Sequence, residues 1–139
     1  KAKGIDFEAI RRPTRSITGL PEYSVSKLAN VLFTRELSRR MGQGVRSYAL
    51  HPGVVASDAW RRLPWPIRPL MKLRMISTEE GAKTSLYCAT SPAVADHDGR
   101  YYDDCREKEP SLVAQDARLA RELWDKSAEF TGANLTKLL

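Results

Sequence analysis

The chain has 139 residues, a formal net charge of +6, 29% charged and 42% hydrophobic positions, enough to bury one globular core. No apolar run approaches the roughly 18 residues of a membrane span, and no signal-peptide pattern occurs. The basic residues are interleaved with acids outside one segment and no recognition motif is present, so the charge does not point to nucleic acid.

The first clear element is an amphipathic helix. Pro21 stands just ahead of its start, Val25, Leu28, Ala29, Leu32 and Leu37 follow the three-and-four spacing, and Lys27, Arg35, Glu36, Arg39 and Arg40 supply polar positions. Gly42 and Gly44 stop it. Tyr23 and Lys27 lie four residues apart on this helix, and at about 100° per residue they fall on nearly the same face. A cation there stabilises a phenolate and lowers the phenol pKa from about 10, which suits proton transfer at a carbonyl. Alone, a Tyr four residues before a Lys is more often a surface neighbour contact than a dyad. Ser16 reads as loop, and Ser24 and Ser26 lie around the helix from the Tyr23 face.

Val45 to Leu50 reads as a strand that ends in the loop His51-Pro52-Gly53. Gly53 in isolation is an ordinary turn glycine, although it also lets backbone approach a flat ring closely. From Ala59 to Met75 the chain is apolar, aromatic and basic without an acid, and its prolines forbid a regular helix through the first part. Read from its residues alone, that stretch is a packed surface loop or a contact with an anionic membrane surface. Ser77-Thr78-Glu79-Glu80 is a capping box, with Glu80 reaching back, for a helix to about Thr90 that carries Ala82, Leu86 and Ala89 on one side. Gly99 to Tyr102 reads as a last strand. Leu112 to Phe130 reads as a terminal amphipathic helix through Val113, Ala117, Ala120, Leu123 and Trp124. Asp103 and Asp104 lack a spaced third ligand and read as solvated turn carboxylates, and His51 and His97 are too few and too separate for a metal site. Cys88 and Cys105 show no pairing or metal-ligand pattern, which predicts free thiols in a reducing cytoplasm.

Taken together, these motifs resemble the C-terminal half of a short-chain dehydrogenase/reductase, and more narrowly the retinol dehydrogenase-like branch. The likeness is carried by Tyr23-x-x-x-Lys27 with Ser26-Lys27-Leu28-Ala29-Asn30-Val31-Leu32-Phe33, by His51-Pro52-Gly53-Val54-Val55, by the run from Glu80 to Ala89, and by Gly99-Arg100-Tyr101-Tyr102. The motifs fall in order from Gly4 to Phe130, over most of the chain. The resemblance implies an α/β fold, the C-terminal part of a Rossmann-like doubly wound parallel sheet with flanking helices, over residues 1–139. It implies an oxidoreductase that moves a hydride between NADP(H), or alternatively NAD, and a lipophilic alcohol, aldehyde or ketone. Tyr23 would be the acid/base, and Lys27 would lower its pKa and hydrogen-bond the nicotinamide ribose. Pro52, Gly53 and the backbone of Val54 and Val55 would line the nicotinamide. Ser57 stands where many members carry Thr, with a hydroxyl for the carboxamide or a phosphate oxygen. Trp60, Leu63, Trp65, Ile67 and Met71 would wall the substrate lid, and the basic residues Arg61, Arg62, Arg68, Lys72 and Arg74 around them would allow a peripheral membrane contact. A homo-oligomer through the Tyr23 helix is also implied.

In the family the Gly-rich pyrophosphate turn, the ribose reader and the catalytic serine precede the tyrosine, and no G-x-G-x-x-G string occurs here. The expectation is therefore a half-domain, inactive alone, that exposes a sheet edge and an apolar helix face. The rival reading is a catalytically silent relative that serves as an interaction module or binds nucleic acid or membrane through its basic surface.

Overall fold

The computed structural model describes residues 2–14, 16–41, 44–55 and 75–133. Among the described residues, three α-helices, α1 (Leu20–Arg40), α2 (Thr78–Thr90) and α3 (Ala117–Thr131), accompany strands β1 (Tyr48–His51), β2 (Arg100–Asp103) and β3 (Arg106–Glu107). The strands form one mixed sheet in the order β1-β2-β3, so the α/β expectation holds. The chain divides into two compact units, Lys1–Ala49 with His97–Arg100 and Glu109–Leu139, and Leu50–Asp96 with Tyr101–Lys108.

The first unit is built on α1 and α3. Leu28 and Leu32 are buried four residues apart on α1, and their core continues through Ala114, Ala120 and Leu123. Burying a leucine side chain contributes roughly 2 kcal/mol, so this stripe fixes which face of α1 points inward. The third member of the stripe is a surprise: Glu36, a polar surface position by sequence, is only 3% exposed. Its carboxylate accepts from Arg39 at 3.1 Å and from Arg40 at 2.7 Å, and this pairing makes a buried charge tolerable. The Arg40 guanidinium lies 5.0 Å from the Trp124 ring centre, and Trp124 in turn stacks on Phe33 at 4.9 Å. Pro21 sits inside the first turn of α1 rather than ahead of it, because Gly19 takes the cap position with φ of 65°. Of the two glycines expected to stop α1, Gly42 lies outside the described residues.

The terminal helix begins later than its hydrophobic pattern suggests. Leu112–Gln115 form a 3-10 turn, and Asp116 caps α3 by accepting from the Arg118 and Leu119 N–H groups at 2.8 and 3.0 Å. Apolar periodicity runs through the turn, but a side-chain cap decides where the α-helical ladder starts.

In the second unit, α2 starts where the capping residues indicate, with the Ser77 hydroxyl accepting from Glu80 N–H at 3.1 Å. The reciprocal half differs from the expectation. Glu80 pairs with Lys83, while the Glu79 carboxylate is held below its usual range by its own backbone N–H and by the hydroxyls of Ser77 and Thr78. The buried face is also not the expected one. Gly81, Thr84 and Cys88 point inward, and Leu86 is 60% exposed, with Ala82 and Ala89 exposed as well. Small residues permit the close approach this face makes, and Ala82, Leu86 and Ala89 remain outside. Strand β2 continues through Asp104 and Cys105 into β3, an antiparallel hairpin absent from the sequence reading. Both loop residues have positive φ, 51° and 55°, the geometry of a tight two-residue turn. Asp103 is not merely solvated: its carboxylate accepts from Lys108 Nζ at 2.6 Å.

Candidate functional site

Tyr23 and Lys27 come together as their spacing predicts. The Lys27 ammonium lies 5.3 Å from the centre of the Tyr23 ring. Relative to Tyr23, the buried stripe of Leu28, Leu32 and Glu36 is turned by roughly 140–220° around α1, so the pair faces away from the core. Tyr23 is 60% exposed and Lys27 is exposed. The Ser26 hydroxyl is spent on the Tyr23 carbonyl, to which it donates at 2.8 Å, which removes it from any role beside the phenol.

A second group of residues, not among those expected from the sequence, fixes the start of this helix. The hydroxyls of Thr14 and Ser16 both donate to the Glu22 carboxylate, and Ser16 Oγ accepts from Gly19 N–H at 3.0 Å. These two donors, Ser16 first and Thr14 second, pull the Glu22 pKa from the ordinary 4.5 to about 2. The loop before α1 is thus tied to the residue next to Tyr23. Its sequence signal was an acid in the first turn with two hydroxyl residues upstream, a pattern too common to single out.

The Pro-Gly loop is organised within the other unit. Gly53 has φ of 83°, and a Cβ on it would meet Ile76 Cδ1 at 2.6 Å. Ile76 N–H donates to the Val54 carbonyl at 3.0 Å, and Val55 bridges Ile76 in parallel fashion. The loop rests on α2 at Gly81, where a Cβ would stand 2.5 Å from Val55 Cγ2 and 3.5 Å from the Pro52 carbonyl oxygen. Gly53 therefore has a reason inside the chain, a left-handed backbone against Ile76, besides the ring approach read from sequence. Gly81 seats the loop on α2, a role that a glycine inside the helical run Glu80 to Ala89 does not signal by itself. Ser57 and the lid residues Trp60, Leu63, Trp65, Ile67 and Met71 lie outside the described residues.

Within the first unit, an exposed phenol and an exposed ammonium on one helix face offer hydrogen-bond donors of the kind a ribose hydroxyl accepts. Within the second unit, taken by itself, Pro52 and Val54 form an exposed, largely apolar loop surface.

By homology the chain belongs to the short-chain dehydrogenase/reductase family. Its relatives include human retinol dehydrogenase 14, 46% identical over 117 residues that make up 79% of this chain and 35% of the relative. Human retinol dehydrogenase 13 is 39% identical over 137 residues, 92% of this chain and 41% of the relative. Bovine dehydrogenase/reductase SDR family member 13 is 41% identical over 119 residues, 81% and 32% respectively. The chain thus spans between about a third and two fifths of the length of these curated relatives. No protein-family model matches it.

Proposed function

We propose that this chain supplies the proton-transfer dyad and the nicotinamide-lining loop of an NADP(H)-dependent oxidoreductase acting on a lipophilic alcohol or carbonyl compound. The observation that carries the reading is the Lys27 ammonium beside the Tyr23 ring on the solvent-facing side of a helix whose other face is locked into a core. The names of the relatives, retinol dehydrogenases among them, support the lipophilic substrate class.

The nicotinamide, when bound, gives or takes the hydride. Tyr23 gives its phenolic proton to the carbonyl oxygen in reduction and takes one from the alcohol in oxidation. Lys27 stabilises the phenolate left behind and hydrogen-bonds the nucleoside ribose. Pro52, Gly53, Val54 and Val55 would line the ring, Ser57 would bind the carboxamide or a phosphate oxygen, and Trp60, Leu63, Trp65, Ile67 and Met71 would cover the substrate. The pyrophosphate-binding half and the rest of a doubly wound parallel sheet would come from the N-terminal part of a full-length polypeptide, a reading supported by the limited share of each relative that is matched.

Tyr23→Phe tests this in a full-length polypeptide. Turnover falls by roughly 10²-fold or more while NADPH still binds, because only the proton donor is lost. Turnover that survives the substitution assigns the proton to another group and overturns the reading.

A further inference from the structure

Cys88 and Cys105 show no pairing pattern in the sequence, yet the fold brings them to one junction. Thr84 and Cys88 occupy successive turns of the buried face of α2, at 5% and 8% exposure. The Thr84 hydroxyl accepts from the Cys105 backbone N–H at 3.3 Å and lies 3.9 Å from Cys105 Sγ. Side chains four apart on a helix have Cβ atoms about 5–6 Å apart, so Cys105 packs against the immediate neighbour of Cys88 on the buried face of α2. Burial, and after it the charge of Cys105, push the Cys88 thiol up, in keeping with that proximity. Cys105 also holds φ of 55° in a hairpin loop where glycine is usual. A strained position filled by cysteine rather than glycine points to a use for its side chain.

We propose that Cys88 and Cys105 form an oxidisable dithiol site, set by Thr84 at the junction of α2 with the β2–β3 hairpin, that takes a hydroperoxide as oxidant and closes to a disulfide. The half-buried Cys105 sulfur, as thiolate, attacks the distal peroxide oxygen. The O–O bond breaks, hydroxide leaves and takes up the thiol proton as water, and Cys105 becomes a sulfenic acid. The Cys88 sulfur then attacks the Cys105 sulfur, the S–O bond breaks, and the departing hydroxyl leaves as water with the Cys88 proton. Two thiols lose two electrons and two protons, and hydrogen peroxide becomes two waters. All the residues involved lie in one structural unit, and the inference does not require the oxidoreductase reading.

The test treats the purified protein with near-stoichiometric hydrogen peroxide, blocks residual thiols and digests with trypsin, which cuts after Arg100 and separates the two cysteines. The expected product is the Cys88 peptide joined to the Cys105 peptide within one chain, about 2 Da lighter than the two thiol peptides combined. In Cys88→Ser, Cys105 is instead trapped by dimedone as the sulfenic acid, and in Cys105→Ser no sulfenic acid is trapped at Cys88. Separate oxidation of each cysteine in the unsubstituted protein, links only between chains, or two thiols that survive the peroxide overturns the proposal. The peptide map of the unsubstituted protein decides the matter if either variant fails to fold.

Discussion

The Tyr23–Lys27 helix and the Pro52–Val55 loop position their residues in opposite ways. On α1 the pair is placed by exclusion: Leu28, Leu32 and Glu36 are drawn into the core, and regular helical geometry turns Tyr23 and Lys27 outward. In the loop, placement comes from contact, with Gly53 against Ile76 and Gly81 of α2 against Val55 and the Pro52 carbonyl. A helix carries its side chains through periodicity and tolerates change on its exposed face. A loop held by two missing Cβ atoms has no such slack.

The largest expected effect lies in the helix core. Leu32→Ala removes a fully buried side chain and should cost about 2–5 kcal/mol in chemical denaturation, loosening the face opposite Tyr23 and Lys27. A cost near zero would mean that burial does not orient α1. Gly81→Val comes next, at about 3 kcal/mol, because the stiff Val55 side chain cannot move far from a new Cβ. Gly53→Ala should cost about 1–2 kcal/mol for the left-handed backbone alone. Adding Ile76→Ala should not restore the loss; full rescue would show that the Ile76 contact, not the backbone, demands the glycine.

The smallest effect concerns the tie before α1. The Glu22 pKa is depressed on folding, so its contribution to stability is complete above the ordinary 4.5 and is lost as pH falls through about 2. In a carboxyl NMR titration, Thr14→Ala with Ser16→Ala should move the Glu22 midpoint up toward 4.5. A midpoint that stays put would assign the shift to backbone donors instead.

Much of the helical architecture was legible in the residues. The Tyr23 to Lys27 spacing, the Ser77 cap and the end of α2 before Pro92 are local, set by interactions within a turn or two. Errors arose where packing decides. Glu36 lies on the core stripe of Leu28 and Leu32, a burial that pairing with nearby Arg39 and Arg40 permits but does not announce, and the inward face of α2 is the small Gly81–Thr84–Cys88 stripe, where a Cβ on Gly81 would already meet Val55. The β2–β3 hairpin escaped notice because Asp104 and Cys105 adopt positive φ without the glycine that usually announces it.

By itself the sequence determined the helices, the face on which Tyr23 meets Lys27 and the likeness to short-chain dehydrogenase/reductases, since each depends on short-range spacing. The tertiary structure alone decided which side of α2 is buried, why Gly53 and Gly81 must lack a Cβ, how Thr14 and Ser16 tie down Glu22, and that Cys88 and Cys105 share a junction at Thr84. Apart from the short-range tie of Thr14 and Ser16 to Glu22, those outcomes depend on residues distant in the chain approaching to within a few ångströms, and no local pattern encodes that distance.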